Sequence, residues 1–170
     1  GPSSIGKSVT LKVATSVWGD PGINGFAKRW RSTLNGLEIL AASRCDCLLV
    51  LDELGQINSK DAGDAAYLLA SGMSKNRANK RLSLAQTHEW RIIFLSSGEI
   101  GLSTHIASSS SQVYAGQELR MIDLSADAGA GLGVFEDIHH FSSPGEFANY
   151  ISQASERNYG HVIIEFLRWL

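Results

Sequence analysis

A phosphate-binding motif stands at the start of the sequence. The stretch Gly1-Pro2-Ser3-Ser4-Ile5-Gly6-Lys7-Ser8 has the pattern G-x-x-x-x-G-K-S. Its glycines allow the backbone to turn several N–H groups inward at the N-terminus of a helix. In such a loop Lys7 reaches the β- and γ-phosphates of a nucleotide, and the Ser8 hydroxyl is a ligand for Mg²⁺. The predicted nucleotide contacts are Gly1, Ser3, Ser4, Ile5, Gly6, Lys7, Ser8 and Val9. A Gly/Ser-rich turn before a helix is the alternative.

Two adjacent carboxylates follow an apolar run further along the chain. Residues 47–51 are continuously apolar, which is typical of a strand buried on both faces of a parallel sheet, and Asp52 and Glu53 come at its C-terminal end. Ligands of α/β proteins bind at this edge of the sheet. Asp52 is predicted to hold Mg²⁺ through water and Glu53 to polarise the attacking water, which is the chemistry of nucleotide hydrolysis. The alternative is a solvated strand end.

A second predicted strand, residues 90–97, also ends in polar residues. Ser96 or Ser97 could sense the γ-phosphate from the end of this strand, with Glu99 as a polar partner. Ser97 is the residue that we assign to the catalytic set. A plain turn after the strand is an equal alternative for each of these side chains.

Arg120 stands near the beginning of a third predicted buried strand, residues 118–124. An arginine in this place can be donated to the γ-phosphate held by a neighbouring subunit, where it stabilises the charge on the transferring phosphoryl group. A surface arginine beside Glu118 is an equal alternative.

A basic stretch follows the third predicted helix. It contains Lys75, Arg77, Lys80 and Arg81 in a polar segment that is predicted to be an exposed loop or hairpin. Such residues bind a nucleic-acid backbone by neutralising phosphates. A solvated basic loop is at least as consistent with the sequence, because no aromatic residues are interleaved for base stacking.

Helices and strands alternate around these motifs. The periodicity predicts a short strand over residues 26–30 and helices over residues 7–18, 61–73, 103–111, from Ser143 to 157, and 162–170. It also predicts a helix that is capped by Ser32 or Thr33 and has Leu37, Leu40 and Ala41 on its apolar face. This order predicts an α/β domain with a mostly parallel sheet over residues 1–135, followed by a small helical, lid-like part over residues 136–170. A strand normally precedes the phosphate loop, and we expect that strand to be missing. Residues 127–133 lack the G-x-G-x-x-G spacing and are predicted to be a flexible connector.

The composition is that of an ordinary globular protein. Of 170 residues, 44% are hydrophobic and 19% charged, and the net charge of −2 gives no overall basic field. Apolar runs are too short to cross a bilayer, and nothing resembles a signal peptide. Cys45 and Cys47 are expected to be buried reduced thiols, which predicts a cytoplasmic location. His139 and His140 near Asp137 could hold a metal ion, but surface histidines are the more common explanation.

The assembled motifs resemble those of the domain-of-unknown-function 927 family. The resemblance covers nearly the whole chain and depends on residues 1–8, on WRSTLNGLE (30–38), on LDELGQ (51–56), on LSSGE (95–99), and on residues 115–131. The first and third of these motifs are shared with many P-loop ATPases, and the others are specific to the family. Its members are similar to superfamily-3-type helicase and primase-associated ATPases of phages, plasmids and integrated elements.

The resemblance implies a P-loop NTPase fold and an ATPase module of a larger DNA-replication protein that adjoins a primase-type domain. It implies that the basic stretch occupies the place of a hairpin that contacts single-stranded DNA. The expected activity is Mg²⁺-dependent ATP hydrolysis coupled to DNA translocation in a homo-oligomeric ring. The alternatives are a nucleotide-dependent regulatory switch or assembly factor without helicase activity, and an inactive scaffold.

Overall fold

A parallel sheet of three strands lies at the centre of the computed structural model, which describes residues 5–22, 24–74, 87–109 and 115–170. The strands are β1 (Lys28–Arg29), β2 (Leu48–Asp52) and β3 (Ile93–Ser96), in the spatial order β1-β2-β3. Leu51 of β2 lies opposite Ser96 of β3, so the two strands end at the same edge of the sheet. The predicted mostly parallel α/β arrangement is confirmed for these elements.

The helices follow the predicted pattern closely. They are α1 (Lys7–Trp18), α2 (Leu34–Ser43), α3 (Ser59–Ser71), α4 (Leu102–Ala107), α5 (Ala115–Glu118), α6 (Pro144–Arg157) and α7 (His161–Trp169), and a short 3₁₀ turn spans Leu54–Gln56. Side chains cap three of them: Thr33 accepts from the Gly36 N–H, Asn58 from Lys60 and Ser143 from Glu146. These caps satisfy N–H groups that have no partner inside the helix, which is why the helices begin where they do.

The core lies where β2 packs against α2 and α3. Leu49, Val50 and Leu51 of β2 are fully buried, and α3 contributes small alanines that allow close approach. Trp30 and Trp90 are also buried, and each indole N–H donates a hydrogen bond, to Ser96 Oγ at 2.8 Å and to Leu69 O at 2.9 Å respectively. Buried polar groups are normally paired in this way, and the Trp30 bond ties the loop after β1 to the end of β3.

The C-terminal helices pack against α1. Lys12 Nζ of α1 donates to Ser152 Oγ at 2.8 Å and to Glu156 Oε1 at 2.6 Å in α6. The Gly160 N–H, at the start of α7, donates to Ser16 O at 2.8 Å. The helical C-terminal part therefore contacts the helix that follows the phosphate loop; the domain division at residue 135 stays a prediction.

The predicted strand over residues 118–124 is wrong. Residues up to Glu118 belong to α5, and residues 119–124 form no strand. Leu119, Ile122 and Leu124 are 78–84% exposed, although a buried strand was expected from their apolar character. A strand needs a hydrogen-bonding neighbour, and in the described ranges no strand pairs with this segment.

β3 is shorter and more exposed than residues 90–97 suggested. It pairs with β2 along one edge, and within the described part of the chain no strand pairs with its other edge. Ile93 is consequently 77% exposed. The start of β3 is tied to the turn before β2 by Arg91, whose Nε and Nη2 donate to the Asp46 carboxylate at 2.7 and 2.9 Å. These hydrogen bonds hold the pKa of Asp46 below its ordinary value.

None of the helices in the described ranges combines the length and the apolar character that a bilayer crossing requires. Cys45 and Cys47 are free thiols, as expected, but both are half-buried rather than buried.

Candidate functional site

The phosphate-loop motif meets α1 at Gly6. This residue caps the helix in a left-handed conformation, with φ 99° and ψ 5°. A Cβ atom there would lie 2.6 Å from Val134 Cγ2, so both the conformation and the space require glycine. Lys7, Ser8 and Val9 form the first turn of α1, where N–H groups without a helical partner make the helix end positive. Of the predicted nucleotide contacts, Gly1, Ser3 and Ser4 lie outside the described residues.

The two carboxylates lie at the end of β2, as predicted. Asp52 is the last residue of the strand, and Glu53 follows in a left-handed conformation with φ 64° and ψ 73°. That conformation is uncommon for a residue with a long side chain and costs energy unless neighbouring contacts hold it. The backbone therefore turns sharply between the two carboxylates, directly at the edge of the sheet.

Ser97 supplies those contacts. Its hydroxyl donates to Asp52 Oδ1 at 2.5 Å and accepts from the Glu53 N–H at 3.0 Å. Its carbonyl oxygen accepts from the Leu54 N–H at 2.8 Å. Ser97 is only 8% exposed, so these bonds form in a poorly solvated environment. Ser97 thus orients the Asp52 carboxylate and holds the backbone of Glu53.

Ser96 has a different partner. Its hydroxyl accepts from Trp30 Nε1 at 2.8 Å and donates to Ser97 O at 3.3 Å. The two serines that the sequence left as alternatives therefore have different partners: Ser96 bonds to the buried Trp30, and Ser97 bonds to the acidic turn.

Residues of the phosphate loop and of this acidic turn line the same cleft, which has a volume of about 570 Å³. Lys7, Ser8, Glu53 and Glu99 line its polar side. The part of the lining that comes from the C-terminal part of the chain has only apolar side chains or none: Gly131, Leu132, Gly133, Phe135, Pro144, Gly145 and Ala148. The volume of the cleft lies in the range of small-molecule sites, about 300–1,000 Å³.

The glycine-rich segment that forms part of this apolar lining is residues 127–135, which we call the strap. The sequence predicts a flexible connector over residues 127–133; in the structure only the end of this segment, at Gly133, packs on the phosphate loop, and its flexibility stays a prediction. The Val134 N–H donates to Ile5 O at 2.8 Å, and a Cβ on Gly133 would lie 2.5 Å from the same oxygen. Gly129, Gly131 and Gly133 all have positive φ, but only Gly133 makes a close backbone approach. Its partner, Ile5, is too distant in sequence to be predicted from the glycine pattern.

Arg120 lies away from this cleft. Its guanidinium stacks 4.4 Å from the Tyr67 ring centroid, and Nη1 donates to Gly116 O at 2.6 Å. It lines a larger groove of about 940 Å³ that runs along the free edge of β3 between the start of α1 and residues 120–126. The predicted DNA-binding residues Lys75, Arg77, Lys80 and Arg81 lie outside the described residues.

The histidine loop carries aromatic contacts. His139 Nδ1 lies 3.7 Å from Asp137 Oδ2, its ring packs edge-on against Phe147, and His140 stacks on Phe141. Among the residues that the structure describes, no group of three or more His, Cys, Asp or Glu side chains could hold a metal ion.

Comparison with known proteins gave a family and a fold. The model of a family described as "Domain of unknown function (DUF927)" matches residues 1–89. A solved structure described as "SCCmec type IV Cch - active helicase" is similar to the chain with a TM-score of 0.66 at 24% sequence identity. The match covers 100% of this chain and 27% of that one, so this chain spans about a quarter of the neighbour's length. No curated protein sequence matched. The likeness shows that the two chains share a fold.

Proposed function

This chain belongs to the family described as Domain of unknown function 927, and from that premise we propose that it is a module that hydrolyses ATP with Mg²⁺ in a larger DNA-replication protein. The observation that carries the proposal is the shared cleft. Lys7 and Ser8 of a phosphate-loop sequence face the same space as Glu53, a carboxylate at the end of a parallel strand. Nucleotide hydrolysis needs both a phosphate cradle and a group that prepares water.

Each residue has a distinct role in this reaction. Lys7 and the N–H groups at the start of α1 bind the β- and γ-phosphates, where developing negative charge must be stabilised. Glu53 orients a water molecule and accepts its proton as the oxygen attacks the γ-phosphorus. The bond to the β–γ bridging oxygen then breaks, and ADP and phosphate leave. Ser97 keeps Asp52 and Glu53 in place through its hydrogen bonds.

The residues present suit Mg²⁺. The Ser8 hydroxyl and the Asp52 carboxylate are hard oxygen donors, and Mg²⁺ in nucleotide sites usually takes one or two such protein ligands besides phosphates and water. The Asp52 carboxylate is oriented by its bond from Ser97. When bound with the nucleotide, Mg²⁺ neutralises charge between the β- and γ-phosphates.

The larger role that we propose is helicase-like. The neighbour of similar fold is described as an active helicase, and the motif-level resemblance is to helicase and primase-associated ATPases. Under this proposal the protein works as a homo-oligomeric ring on single-stranded DNA beside a primase-type domain. Arg120 then acts on the nucleotide of a neighbouring subunit, and the basic stretch contacts DNA. A regulatory switch or assembly factor would share the hydrolysis but not strand separation.

Replacing the proposed base tests the hydrolysis. Glu53→Gln removes the proton acceptor but keeps the shape of the side chain, so we expect ATP to bind normally while kcat falls about 100-fold or more. Glu89→Gln, an exposed carboxylate outside the cleft, is the matched control and should leave kcat unchanged. Unchanged hydrolysis in Glu53→Gln would remove this residue from its role.

Neutralising the basic stretch tests the DNA part. Changing Lys75, Arg77, Lys80 and Arg81 to Gln should weaken binding of single-stranded DNA and abolish its stimulation of hydrolysis. The slope of log K against log salt concentration is negative, and each lost phosphate contact makes it less steep by about 0.7. Titrations at several salt concentrations therefore measure how many contacts disappear. An unchanged slope would contradict the assignment, and stimulated hydrolysis without strand separation would favour the assembly factor.

A further inference from the structure

The apolar half of the 570 Å³ cleft has no part in phosphate chemistry. We propose that the strap and the first turn of α6 form a nucleobase site that takes the flat ring by apolar contact and accepts adenine and guanine alike. The proposal rests on the proposed function, because it concerns the base of the nucleotide whose phosphates lie at Lys7 and Ser8.

The strap is held at a fixed position relative to the phosphate loop. The bond from the Val134 N–H to Ile5 O and the close approach of Gly133 to the same oxygen join the two backbones. Within the strap, the Ala128 N–H donates to Gly133 O and the Gly129 N–H to Asp127 Oδ1, both at 2.8 Å. Any base held by the strap therefore has a fixed relation to phosphates held by the loop.

The aromatic wall of this half is also rigid. The Phe135 ring packs 4.9 Å from the ring of Phe147 in α6, and Phe147 lies 5.1 Å from Phe141. Phe141 in turn packs 5.0 Å from Tyr150. Phe135 lines the cleft at the near end of this cluster. Such packing fixes the orientation of a ring against which a base can stack.

The side chains on the apolar half of the cleft determine which bases it can distinguish. The described residues that line it are glycine, alanine, leucine, proline and phenylalanine, whose side chains neither donate nor accept hydrogen bonds. A site rejects a related ligand strongly when its own polar groups would be left unpaired, whereas an apolar pocket discriminates weakly. The exocyclic groups that separate adenine from guanine therefore meet no matching side chain on this wall.

Equilibrium binding of three ligands separates the base from the phosphates. We expect ATP and GTP to bind with dissociation constants within about tenfold of each other, and inorganic tripolyphosphate to bind more weakly than either. Phe135→Ala removes the stacking ring, so the affinity for both nucleotides should fall about tenfold while tripolyphosphate binds as before.

A second variant adds bulk at the site without removing a packing side chain. Gly145 lines the cleft, and a Cβ added there meets only Ser143 Oγ at 4.0 Å, so Gly145→Leu fits at its backbone and adds a large apolar side chain to the cleft lining. It should weaken both nucleotides and spare tripolyphosphate. Gln153→Leu, an exposed position on the same helix outside the cleft, is the matched control and should change neither.

The outcomes keep the two proposals apart. If the unaltered protein binds neither nucleotides nor tripolyphosphate, the proposed function fails and the base site with it. If all bind but neither variant changes the ratio of nucleotide to tripolyphosphate affinity, only the base site is overturned. If Phe135→Ala weakened tripolyphosphate as much as the nucleotides, the base site would also be overturned, because Phe135 would then act on the phosphate loop and not on the base. A preference for one purine above 100-fold would overturn the apolar recognition.

Discussion

Glu53 and Ser97 show how single residues shape the acidic turn. A left-handed glutamate costs on the order of 1–3 kcal/mol, and the bonds from the Glu53 and Leu54 N–H groups to Ser97 offset this cost. The sequence indicated both residues as candidates, since each follows an apolar run. It did not indicate that they touch, because the contact depends on the pairing of β2 with β3.

Removing the Ser97 hydroxyl should therefore loosen the carboxylates. We expect Ser97→Ala to lower kcat more than it lowers ATP affinity, since phosphate binding is left to the loop. The half-buried Glu53 N–H also loses its partner, which should reduce the free energy of unfolding by about 1 kcal/mol. Steady-state kinetics and chemical denaturation measure the two effects. Ser97→Thr keeps the hydroxyl and should retain most activity; equal kinetics in all three proteins would contradict the positioning role.

Two glycines of the strap form a matched pair for testing its contact with the phosphate loop. Gly129 has φ 83° and Gly133 has φ 69°, so alanine is strained at both, but only at Gly133 would the Cβ meet Ile5 O. We expect both Gly→Ala changes to destabilise the fold by about 1 kcal/mol through strain, and only Gly133→Ala to displace the loop and weaken tripolyphosphate binding. Thermal melts and binding titrations separate the two. Equal tripolyphosphate affinities would show that the contact does not position the loop.

Helices and strands were predictable from the sequence where the interactions that form them lie within the same segment. Helices α1, α2, α3 and α6 were predicted because their apolar periodicity and their caps, such as Thr33 and Ser143, lie within the segment itself. Residues 119–124 carry an equally strong strand pattern and form no strand, since a strand is completed by a neighbour that the pattern cannot supply. The contact of Gly133 and Val134 with Ile5 was not predictable for the same reason, because the two segments are far apart in sequence.

The apolar half of the cleft could not have been predicted from motifs. Phe135, Pro144 and Ala148 follow no known spacing, and they reach the cleft because α6 packs on α1 through Lys12. Three residues of the polar half, Lys7, Ser8 and Glu53, were predictable, because they belong to two short motifs whose chemistry dictates residue type.

At the scale of the whole molecule, Arg120 is the residue whose proposed role needs a second copy. In the single chain its guanidinium lies over Tyr67, outside the 570 Å³ cleft. A cation stacked on an exposed ring is held by about 0.5–1 kcal/mol, which is small enough for a neighbour's phosphates to compete for it.

Mixing two inactive proteins tests this arrangement in the assembled oligomer. Arg120→Ala leaves its own cleft intact but supplies no arginine to the neighbour, whereas Glu53→Gln supplies the arginine but cannot hydrolyse. We expect the activity of Arg120→Ala alone to fall at least about 1,000-fold and that of Glu53→Gln alone to fall about 100-fold. Mixtures of the two subunits should recover part of the activity. Tyr67→Leu, which removes the stacking ring, should keep activity. No recovery on mixing, with mixed oligomers verified by mass, would contradict the proposal.

The free edge of β3 has a consequence for handling the protein. Among the residues that the structure describes, no strand pairs with this edge of β3, and Ile93 beside it is 77% exposed. A strand edge beside an apolar groove is a template for strand addition between molecules. Solutions of the described domain should therefore scatter more light as concentration rises, with growing β-sheet absorbance in the infrared. Ile93→Lys would introduce a charge that natural sheets use to keep such edges apart.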